Sequence, residues 1–267
     1  MTNLSELMNL SGRCALVTGA TGHVGKVICA TLAELGSNLI LVDQPGAALK
    51  GLEDTLRADW RVNVTSISCD LEEEQQRTEL ATHIKVHNLE LNCLVNNAAF
   101  VGTSGLAGWA TTFEQQSLDS WRRAIEVNLT ASFHLSQLFA PILRKSEGGN
   151  IVNIGSIYGE LGPDWRLYDG TSLANPAAYS ASKGGLLQLT RWLATTLAPD
   201  VRVNAISPGG IFRSQPSEFI ERYISRTPLQ RMATENDMRG AVAFFTSDMA
   251  SYVTGETLRV DGGWGAW

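Results

Sequence analysis

Residues 18–25 read T-G-A-T-G-H-V-G and join a predicted strand to a predicted helix. The strand is the apolar run at residues 14–18, and apolar residues at helical spacing indicate a helix from about residue 24 to residue 35. Glycines at 19, 22 and 25 let the backbone turn tightly and approach a pyrophosphate, whose charge is favoured at a helix N-terminus. Glycine also marks ordinary tight turns, so the position between strand and helix is what predicts a dinucleotide site here.

Short apolar runs alternate with helical patterns along the rest of the chain. Further strands are predicted at residues 39–42, 62–69, 91–96, 151–154, 201–206 and 257–260, with long helices at 118–143 and 177–199. This alternation predicts an α/β protein with a single-domain Rossmann fold over residues 1–267, built on a doubly wound parallel seven-stranded sheet with helices on both faces. Ligands of such sheets bind at the carboxyl ends of the strands.

The composition is that of a globular protein, with 44% hydrophobic and 18% charged residues. A net charge of −6 without a run of Lys or Arg argues against nucleic acid or an anionic membrane as a partner. Residues 1–12 lack the basic and apolar regions of a signal peptide, and the cysteines are isolated in apolar segments, so we expect a cytoplasmic protein. His83 and His87 share a helix face but lack a third ligand, so we expect no metal site.

Two acidic residues end predicted strands on the side where a dinucleotide would bind. Asp43 ends the second strand, where a carboxylate can accept hydrogen bonds from the adenosine ribose and repels a 2′-phosphate. The next residue is Gln44 rather than an arginine, so we predict NAD in preference to NADP; a solvated strand-end aspartate is the alternative. Asp70 ends the third strand and suits either adenine binding or capping of the next helix, with Glu73 as its capping-box partner.

Tyr179 and Lys183 lie at positions i and i+4 of a predicted helix, within A-A-Y-S-A-S-K-G-G-L-L at residues 177–187. Asn175 is the predicted N-cap and Pro176 the first helical residue. The spacing puts both side chains on one helix face, where an ammonium group favours the phenolate and lowers the pKa of the tyrosine. A tyrosine with such a pKa can exchange a proton with an alcohol or a carbonyl. The alternative is that the two residues have this spacing by chance, and the other motifs of the chain distinguish the two interpretations.

These motifs and several others, in this order, make the chain resemble the short-chain dehydrogenase/reductase family over essentially its whole length. The matching segments are T-G-A-T-G-H-V-G at 18–25, Asp43, C-D-L at 69–71, N-N-A-A at 96–99, V-N-L at 127–129, I-V-N-I-G-S at 151–156, Y-S-A-S-K at 179–183, R-V-N-A-I-S-P-G-G at 202–210 and V-D-G-G at 260–263. The resemblance implies an oxidoreductase that transfers a hydride between NAD(P) and a secondary alcohol or carbonyl.

The resemblance also implies roles for individual residues. Asn128 would hold a helix kink and a water leading to Lys183, and Ser156 would hydrogen-bond the substrate oxygen. Tyr179 would be the general acid/base, and Lys183 would lower its pKa and bind the nicotinamide ribose. Taken singly, Asn128 and Ser156 also suit a polar helix face and a loop start. The cofactor-binding residues implied in this way are Gly19, Thr21, Gly22, His23, Val24, Asp43, Asp70, Leu71, Asn97, Ala98, Tyr179, Lys183, Pro208, Gly209 and Ile211.

Three short motifs depart from the commoner family pattern. The middle glycine of the first loop is Gly22, whereas the familiar members have glycine at the position of His23. This spacing resembles a branch that modifies sugar nucleotides and usually has a larger C-terminal portion. N-N-A-A replaces N-N-A-G, and Phe212 and Arg213 follow P-G-G-I where a cofactor-contacting threonine is often found.

The connection between Ser156 and Tyr179 is longer than the family usually has. The extra residues, roughly 162–175, are here called the insert. Its residues Trp165, Arg166, Tyr168 and Asp169 are predicted to shape the substrate pocket, with a subunit contact or a surface excursion as the alternative. Segments at about 100–116 (with Trp109), 157–175 and 211–235 follow carboxyl ends of strands, so we expect these loops to close one cleft around a small-molecule substrate.

The insert and the residues just before it resemble a smaller group within the family. S-I-Y-G at 156–159 and Y-D-G-T-S-L-A-N-P at 168–176 resemble short-chain oxidoreductases associated with flagellin glycosylation and nonulosonic-acid biosynthesis, which implies a sugar or sugar-phosphate substrate. Family tetramers suggest a homo-oligomer, either tetramer or dimer, and the C-terminal G-G-W-G-A-W either packs across an interface or covers its own core. Alternative functions are an NAD-recycling sugar dehydratase or epimerase and a non-catalytic dinucleotide-binding regulator.

Overall fold

A computed structural model describes residues 2–101 and 106–267 of the chain. In these residues seven strands form one parallel sheet in the order β3-β2-β1-β4-β5-β6-β7. The strands are β1 (Cys14–Thr18), β2 (Asn38–Asp43), β3 (Val64–Ser68), β4 (Cys93–Asn96), β5 (Asn150–Ile154), β6 (Arg202–Pro208) and β7 (Thr257–Val260). The predicted Rossmann-type seven-stranded sheet is confirmed.

Helices cover both faces of this sheet. They are α1 (Leu4–Met8), α2 (His23–Glu34), α3 (Leu49–Trp60), α4 (Glu74–Val86), α5 (Leu118–Ile125), α6 (Ala131–Leu143), α7 (Ala177–Leu197), α8 (Ser217–Arg226) and α9 (Arg239–Thr246). Short 3₁₀ helices lie at Phe113–Gln115, Ile157–Gly159, Trp165–Leu167, Glu235–Met238, Asp248–Ala250 and Trp264–Ala266. None of the helices in the described residues combines the length and apolar character needed to cross a bilayer.

The alternation of side chains along β1 explains the two helical layers. Val17 packs in one apolar cluster with Ile28 of α2 and Phe245 of α9. Its neighbour Leu16 points to the other face, in a cluster with Phe139 of α6 and Leu193 of α7. Burial on both faces is why the strands are continuous apolar runs.

The strand order reverses at β1, which pairs with β2 on one side and β4 on the other. A crevice opens at such a switch point, outside the carboxyl ends of the strands. The glycine loop crosses this point. Gly19 takes the left-handed conformation at φ +62°, and a Cβ there would lie 2.8 Å from the Cα of Ala98. Gly25 lets α2 pack closely on the loop, since a Cβ there would overlap the carbonyl oxygen of Gly19.

The structure corrects three local predictions. The helix predicted at 118–143 is interrupted by a π-helical turn at Glu126–Thr130, between α5 and α6. The cap of α4 is Glu73 rather than Asp70, whose carboxylate accepts a hydrogen bond from the Glu72 amide at 3.0 Å. The cap of α7 is Pro176 rather than Asn175, whose side-chain oxygen accepts from the Ser180 hydroxyl at 3.1 Å.

Candidate active site

A cleft of about 720 Å³, here called the main cleft, opens at the carboxyl ends of the strands. Every residue that the sequence implied for cofactor binding lines it. These are Gly19, Thr21, Gly22, His23 and Val24 after β1, Asp43 on β2, Asp70 and Leu71 after β3, Asn97 and Ala98 after β4, Tyr179 and Lys183 on α7, and Pro208, Gly209 and Ile211 at the end of β6. A cavity of this size suits a dinucleotide together with a small substrate.

Asp43 is fixed on the wall of the main cleft by the glycine loop. Its Oδ2 accepts hydrogen bonds from the backbone N–H and the hydroxyl of Thr21 at 2.8 and 2.7 Å. Its Oδ1 accepts from the Gln44 amide at 2.8 Å. The carboxylate is therefore held in place at the end of β2, where a dinucleotide places its adenosine ribose.

The end of β4 is tied to the same loop. The Asn97 side-chain amide donates to the carbonyl oxygens of Thr18 and Gly19 at 2.9 and 3.0 Å. With the glycines keeping side chains out of the turn, the loop and the N-terminus of α2 form a cradle whose N–H groups suit a diphosphate. The residues present therefore fit a nicotinamide dinucleotide.

Ser156, Tyr179 and Lys183 converge at the other end of the main cleft. Lys183 Nζ lies 5.8 Å from the centroid of the Tyr179 ring and donates to the Ile154 carbonyl at 2.7 Å. Ser156 Oγ accepts from the Tyr158 amide at 3.2 Å, which fixes its side chain at the start of a 3₁₀ turn. The helical spacing of Tyr179 and Lys183 therefore places both on the side of α7 that faces the cleft.

The expected direction of the tyrosine pKa is wrong. Burial raises the pKa of Tyr179 above its ordinary value, and its contact with Ser156 offsets only part of that rise. Burial also lowers the pKa of Lys183 to about 8, so near neutral pH the amine holds its proton less firmly than an exposed lysine. Desolvation is the main cause of both pKa shifts. Tyr179 consequently keeps its proton at neutral pH, as a proton donor must.

Asn128 is fully buried beneath the cleft, at the centre of the π-helical turn. Its Oδ1 accepts from the Phe100 amide at 2.6 Å, and its Nδ2 donates to Ser182 Oγ at 2.9 Å. Ser182 precedes Lys183 on α7, so Asn128 joins the loop after β4 to the helix that carries Tyr179 and Lys183. The helix irregularity that the family resemblance implied at Asn128 is present as this turn.

The loops predicted to close the cleft differ in what they contribute. Phe100, Val101 and Leu106 line it from the first segment, whose residues 102–105 lie outside the described residues. Trp109 supports that wall, with its ring edge-on to Phe100 at 5.0 Å and its Nε1 donating to the Val101 carbonyl at 2.7 Å. Ile211 and Arg213 line the cleft from the segment at 211–235.

The insert packs against α8, and the described residues lining the main cleft include none of it. The Arg222 guanidinium donates to the Asp169 carbonyl at 2.5 Å, and Arg226 pairs with Asp164. Tyr168 shares a 2.7 Å hydrogen bond with the hydroxyl of Tyr158. Trp165 remains 58% exposed beside these contacts.

Two arginines of the main cleft were not predicted as site residues. Arg123 on α5 pairs with Glu72 at 2.8 Å and lies 4.7 Å over the Phe100 ring. The sequence holds no signal for this position, because a charged residue inside a helical pattern usually faces solvent. For Arg213 the available signal was that Phe212 and Arg213 follow P-G-G-I where the family often has a threonine.

Comparison with known proteins identifies the family. The sequence model of the family described as Enoyl-(Acyl carrier protein) reductase matches residues 19–265. A galactitol 2-dehydrogenase (L-tagatose-forming) from Cereibacter sphaeroides is 32% identical over 98% of this chain and 98% of its own length. The chain is a short-chain dehydrogenase/reductase. The post-translational flagellin modification protein A of Campylobacter coli is 28% identical to this short-chain dehydrogenase/reductase, over 96% of this chain and 99% of its own length.

Solved relatives carry both forms of the cofactor. A gluconate 5-dehydrogenase from Beutenbergia cavernae, described as NAD(P)-dependent and with NADP bound at low occupancy, is 31% identical. It superimposes with a TM-score of 0.86, covering 98% of this chain and 100% of its own. A short-chain dehydrogenase from Leptospira borgpetersenii with bound NAD⁺ is also 31% identical, with a TM-score of 0.83, covering 99% of this chain and 96% of its own. These relatives support a nicotinamide dinucleotide as the cofactor of this short-chain dehydrogenase/reductase.

Proposed function

We propose that this short-chain dehydrogenase/reductase uses NAD(H) to interconvert a secondary alcohol and a carbonyl, on a sugar or a sugar derivative. The observation that carries the proposal is the convergence of Ser156, Tyr179 and Lys183 on one end of a cleft whose other end holds Asp43. A protein that only binds a dinucleotide has no need of the tyrosine. The presence of Ser156, Tyr179 and Lys183 together therefore argues against a non-catalytic regulator.

The cofactor, when bound, supplies the hydride for carbonyl reduction and accepts it in alcohol oxidation. In the reducing direction the carbonyl oxygen gains negative charge as the hydride reaches its carbon. The Ser156 hydroxyl donates a hydrogen bond to that oxygen, and the Tyr179 hydroxyl gives it a proton. Lys183 stabilises the phenolate that remains, until a proton from solvent restores the hydroxyl. In the oxidising direction Tyr179 must first lose its proton and then accepts that of the alcohol.

NAD is the preferred cofactor in this proposal because of Asp43. A carboxylate fixed by two contacts from Thr21 accepts hydrogen bonds from a ribose diol and repels a 2′-phosphate. Gln44, the next residue in the cleft wall, is uncharged and offers that phosphate no counter-charge. One solved relative has NADP bound and another has NAD⁺ bound, so the family as a whole does not decide between them. The proposed preference for NAD therefore rests on Asp43 and Gln44.

A polyhydroxylated substrate is favoured by the relatives and by the insert. The galactitol 2-dehydrogenase acts on a sugar alcohol, and the flagellin modification protein supports the narrower resemblance found in the insert. The NAD-recycling dehydratase or epimerase remains the second candidate, because the spacing of Gly19, Gly22 and Gly25 favours it.

The test is net turnover of the cofactor on a panel of substrates. Purified protein is mixed with NAD⁺ and hexitols or pentitols, and with NADH and ketoses or keto-sugar phosphates, while NADH fluorescence is followed. A dehydrogenase changes the NADH concentration in proportion to product. Product formed without net change in NADH would favour the dehydratase or epimerase, and tight NADH binding without product on any substrate would favour the regulator.

We also propose that the protein is a homo-oligomer, a dimer or a tetramer. Trp121 of α5, Phe133 of α6 and Trp192 of α7 are all exposed on neighbouring helices. Exposed large apolar side chains on helices that contact each other favour an interaction surface. Sedimentation velocity at micromolar concentration should give a dimer or tetramer, and a monomer would contradict the proposal.

A further inference from the structure

Arg213 is the second residue after P-G-G-I at residues 208–211, and the proposed mechanism gives it no role. It lines the main cleft just beyond β6. The backbone around it is fixed: the Phe212 amide donates to the Ala233 carbonyl at 2.9 Å, and the Arg213 amide donates to the Gln215 side chain at 2.7 Å. Arg213 is therefore built into the cleft wall, with its side chain 31% exposed.

The Arg213 side chain reaches towards the glycine loop. Its Nη2 pairs with Glu235 Oε1 at 3.0 Å, and the same oxygen lies 4.0 Å from Nδ1 of His23, the first residue of α2. Because both nitrogens contact one atom, they lie no further apart than the sum of these distances. The guanidinium consequently lies near the side chain of His23, and Arg213 lines the main cleft together with the glycine loop.

The other cationic side chains in the described cleft wall have partners away from the glycine loop. Arg123 pairs with Glu72 near Asp70 and Leu71, and Lys183 donates to a backbone carbonyl beside Tyr179. Arg213 is thus the permanently charged side chain in the described cleft wall that stands near the glycine loop. Its guanidinium has five N–H donors, and the pair with Glu235 uses Nη2, so donors are left for a second anion.

We propose that Arg213 binds the diphosphate of the dinucleotide, with Glu235 as a positioning residue that holds the guanidinium over the glycine loop. The proposal rests on the proposed use of a nicotinamide dinucleotide. A contact between a guanidinium and a diphosphate is charge-assisted. The same chemistry suits a carboxylate or phosphate of the substrate, so the experiment must separate the two sources.

The experiment measures ligand binding to the purified full chain by calorimetry or by displacement of NADH fluorescence. The probes are ADP-ribose, which has the diphosphate, and adenosine, which lacks it. In Arg213→Gln we expect ADP-ribose to bind about tenfold more weakly, with adenosine unchanged. Arg213→Lys should recover part of the loss, and the dependence of ADP-ribose binding on salt should be flatter in Arg213→Gln because one cation is gone.

Arg231→Gln is the matched control. Arg231 lies on the same segment but pairs with Asp237 at 2.6 Å, and it is absent from the described lining of the main cleft. It should leave ADP-ribose binding unchanged. Equal losses in Arg231→Gln and Arg213→Gln would overturn the proposal, because the fold of the segment rather than the charge would then matter.

Other results would also overturn it. ADP-ribose affinity that is unchanged in Arg213→Gln refutes the diphosphate contact, and a raised KM for an anionic substrate in that variant would assign Arg213 to the substrate instead. Equal weakening of adenosine and ADP-ribose would mean a general disturbance of the cleft. Failure of the unmodified protein to bind ADP-ribose would contradict the proposed cofactor itself, a result distinct from failure at Arg213.

Discussion

Asp164 anchors the insert to α8, and we expect Asp164→Asn to lower the stability of the fold measurably. The carboxylate accepts two hydrogen bonds from Arg166, each at 2.8 Å, and pairs with Arg226. The Arg226 guanidinium lies 4.8 Å over the ring of Trp264, which stacks on Tyr223 at 4.4 Å. One carboxylate thus joins the insert, α8 and the C-terminal segment.

The size of the effect follows from the exposure of the three charged groups. The side chains of Asp164, Arg226 and Arg166 are 13%, 34% and 81% exposed. Arg166 and then Arg226 hold the pKa of Asp164 well below its usual range. The Arg166 contact faces water and contributes little to the stability of the fold. Loss of the carboxylate leaves Arg226 partly buried without its counter-charge, which costs about 2 kcal/mol.

The pH dependence has a definite sign. Because the pKa of Asp164 is lower in the folded protein than in the unfolded chain, its stabilisation is fully present above the ordinary aspartate pKa of about 4. It is lost as the pH falls below that value towards the folded pKa. The difference in stability between the unmodified protein and Asp164→Asn should therefore shrink between pH 7 and pH 3.

The assay is equilibrium unfolding in urea at several pH values, with Arg166→Gln as the matched control. We expect a lower midpoint for Asp164→Asn at pH 7 and a midpoint close to that of the unmodified protein for Arg166→Gln. An unchanged midpoint in Asp164→Asn would refute the reasoning, as would an equally large loss in Arg166→Gln. The second result would mean that the exposed pair, rather than the pair with Arg226, stabilises the insert.

Three further predictions concern the main cleft. Asp43→Asn should lower the preference for NAD over NADP at least tenfold, because the charge that repels the 2′-phosphate is lost; the ratio of kcat/KM values measures this, and an unchanged ratio refutes the ribose contact. Gly25→Ala should lower the free energy of unfolding in urea by more than about 2 kcal/mol, because the new Cβ overlaps the Gly19 carbonyl. Gly51→Ala is the control and should not lower it, because Gly51 has open space around it on α3. Because burial raises the pKa of Tyr179, initial rates of alcohol oxidation should rise with pH from 6 to 9, while carbonyl reduction is sustained near neutral pH. Faster alcohol oxidation at pH 6 than at pH 9 would contradict this prediction.

The parts of the fold that depend on local patterns could be predicted from the sequence. The glycine loop, Asp43 and the pair Tyr179 and Lys183 are each defined by spacing within one element or one turn. The parallel order of the sheet then brings these separate motifs into one cleft, because the strands that carry or precede them all end at the same edge. The position of these motifs after predicted strands was therefore enough to predict that they share one cleft, because the carboxyl ends of neighbouring strands lie side by side in a doubly wound sheet.

The features that the residue pattern alone did not predict depend on contacts between distant segments. The apolar pattern runs unbroken through residues 118–143, and only the family resemblance implied the kink at Asn128, which bonds to Phe100 and Ser182. The direction of the tyrosine pKa depends on burial of Tyr179, which helical spacing does not reveal. The insert was expected over the pocket, but it packs on α8 through arginines far along the chain.

The central claim is that Tyr179 exchanges the proton in a hydride-transfer reaction, and Tyr179→Phe tests it most directly. The variant lacks the hydroxyl but keeps the ring beside Lys183, so the cleft should retain its shape. Single-turnover oxidation of bound NADH by a carbonyl substrate should fall by at least about a thousandfold, with the NADH dissociation constant changed less than about twofold. NADH oxidation at a rate comparable to that of the unmodified protein would contradict the claim.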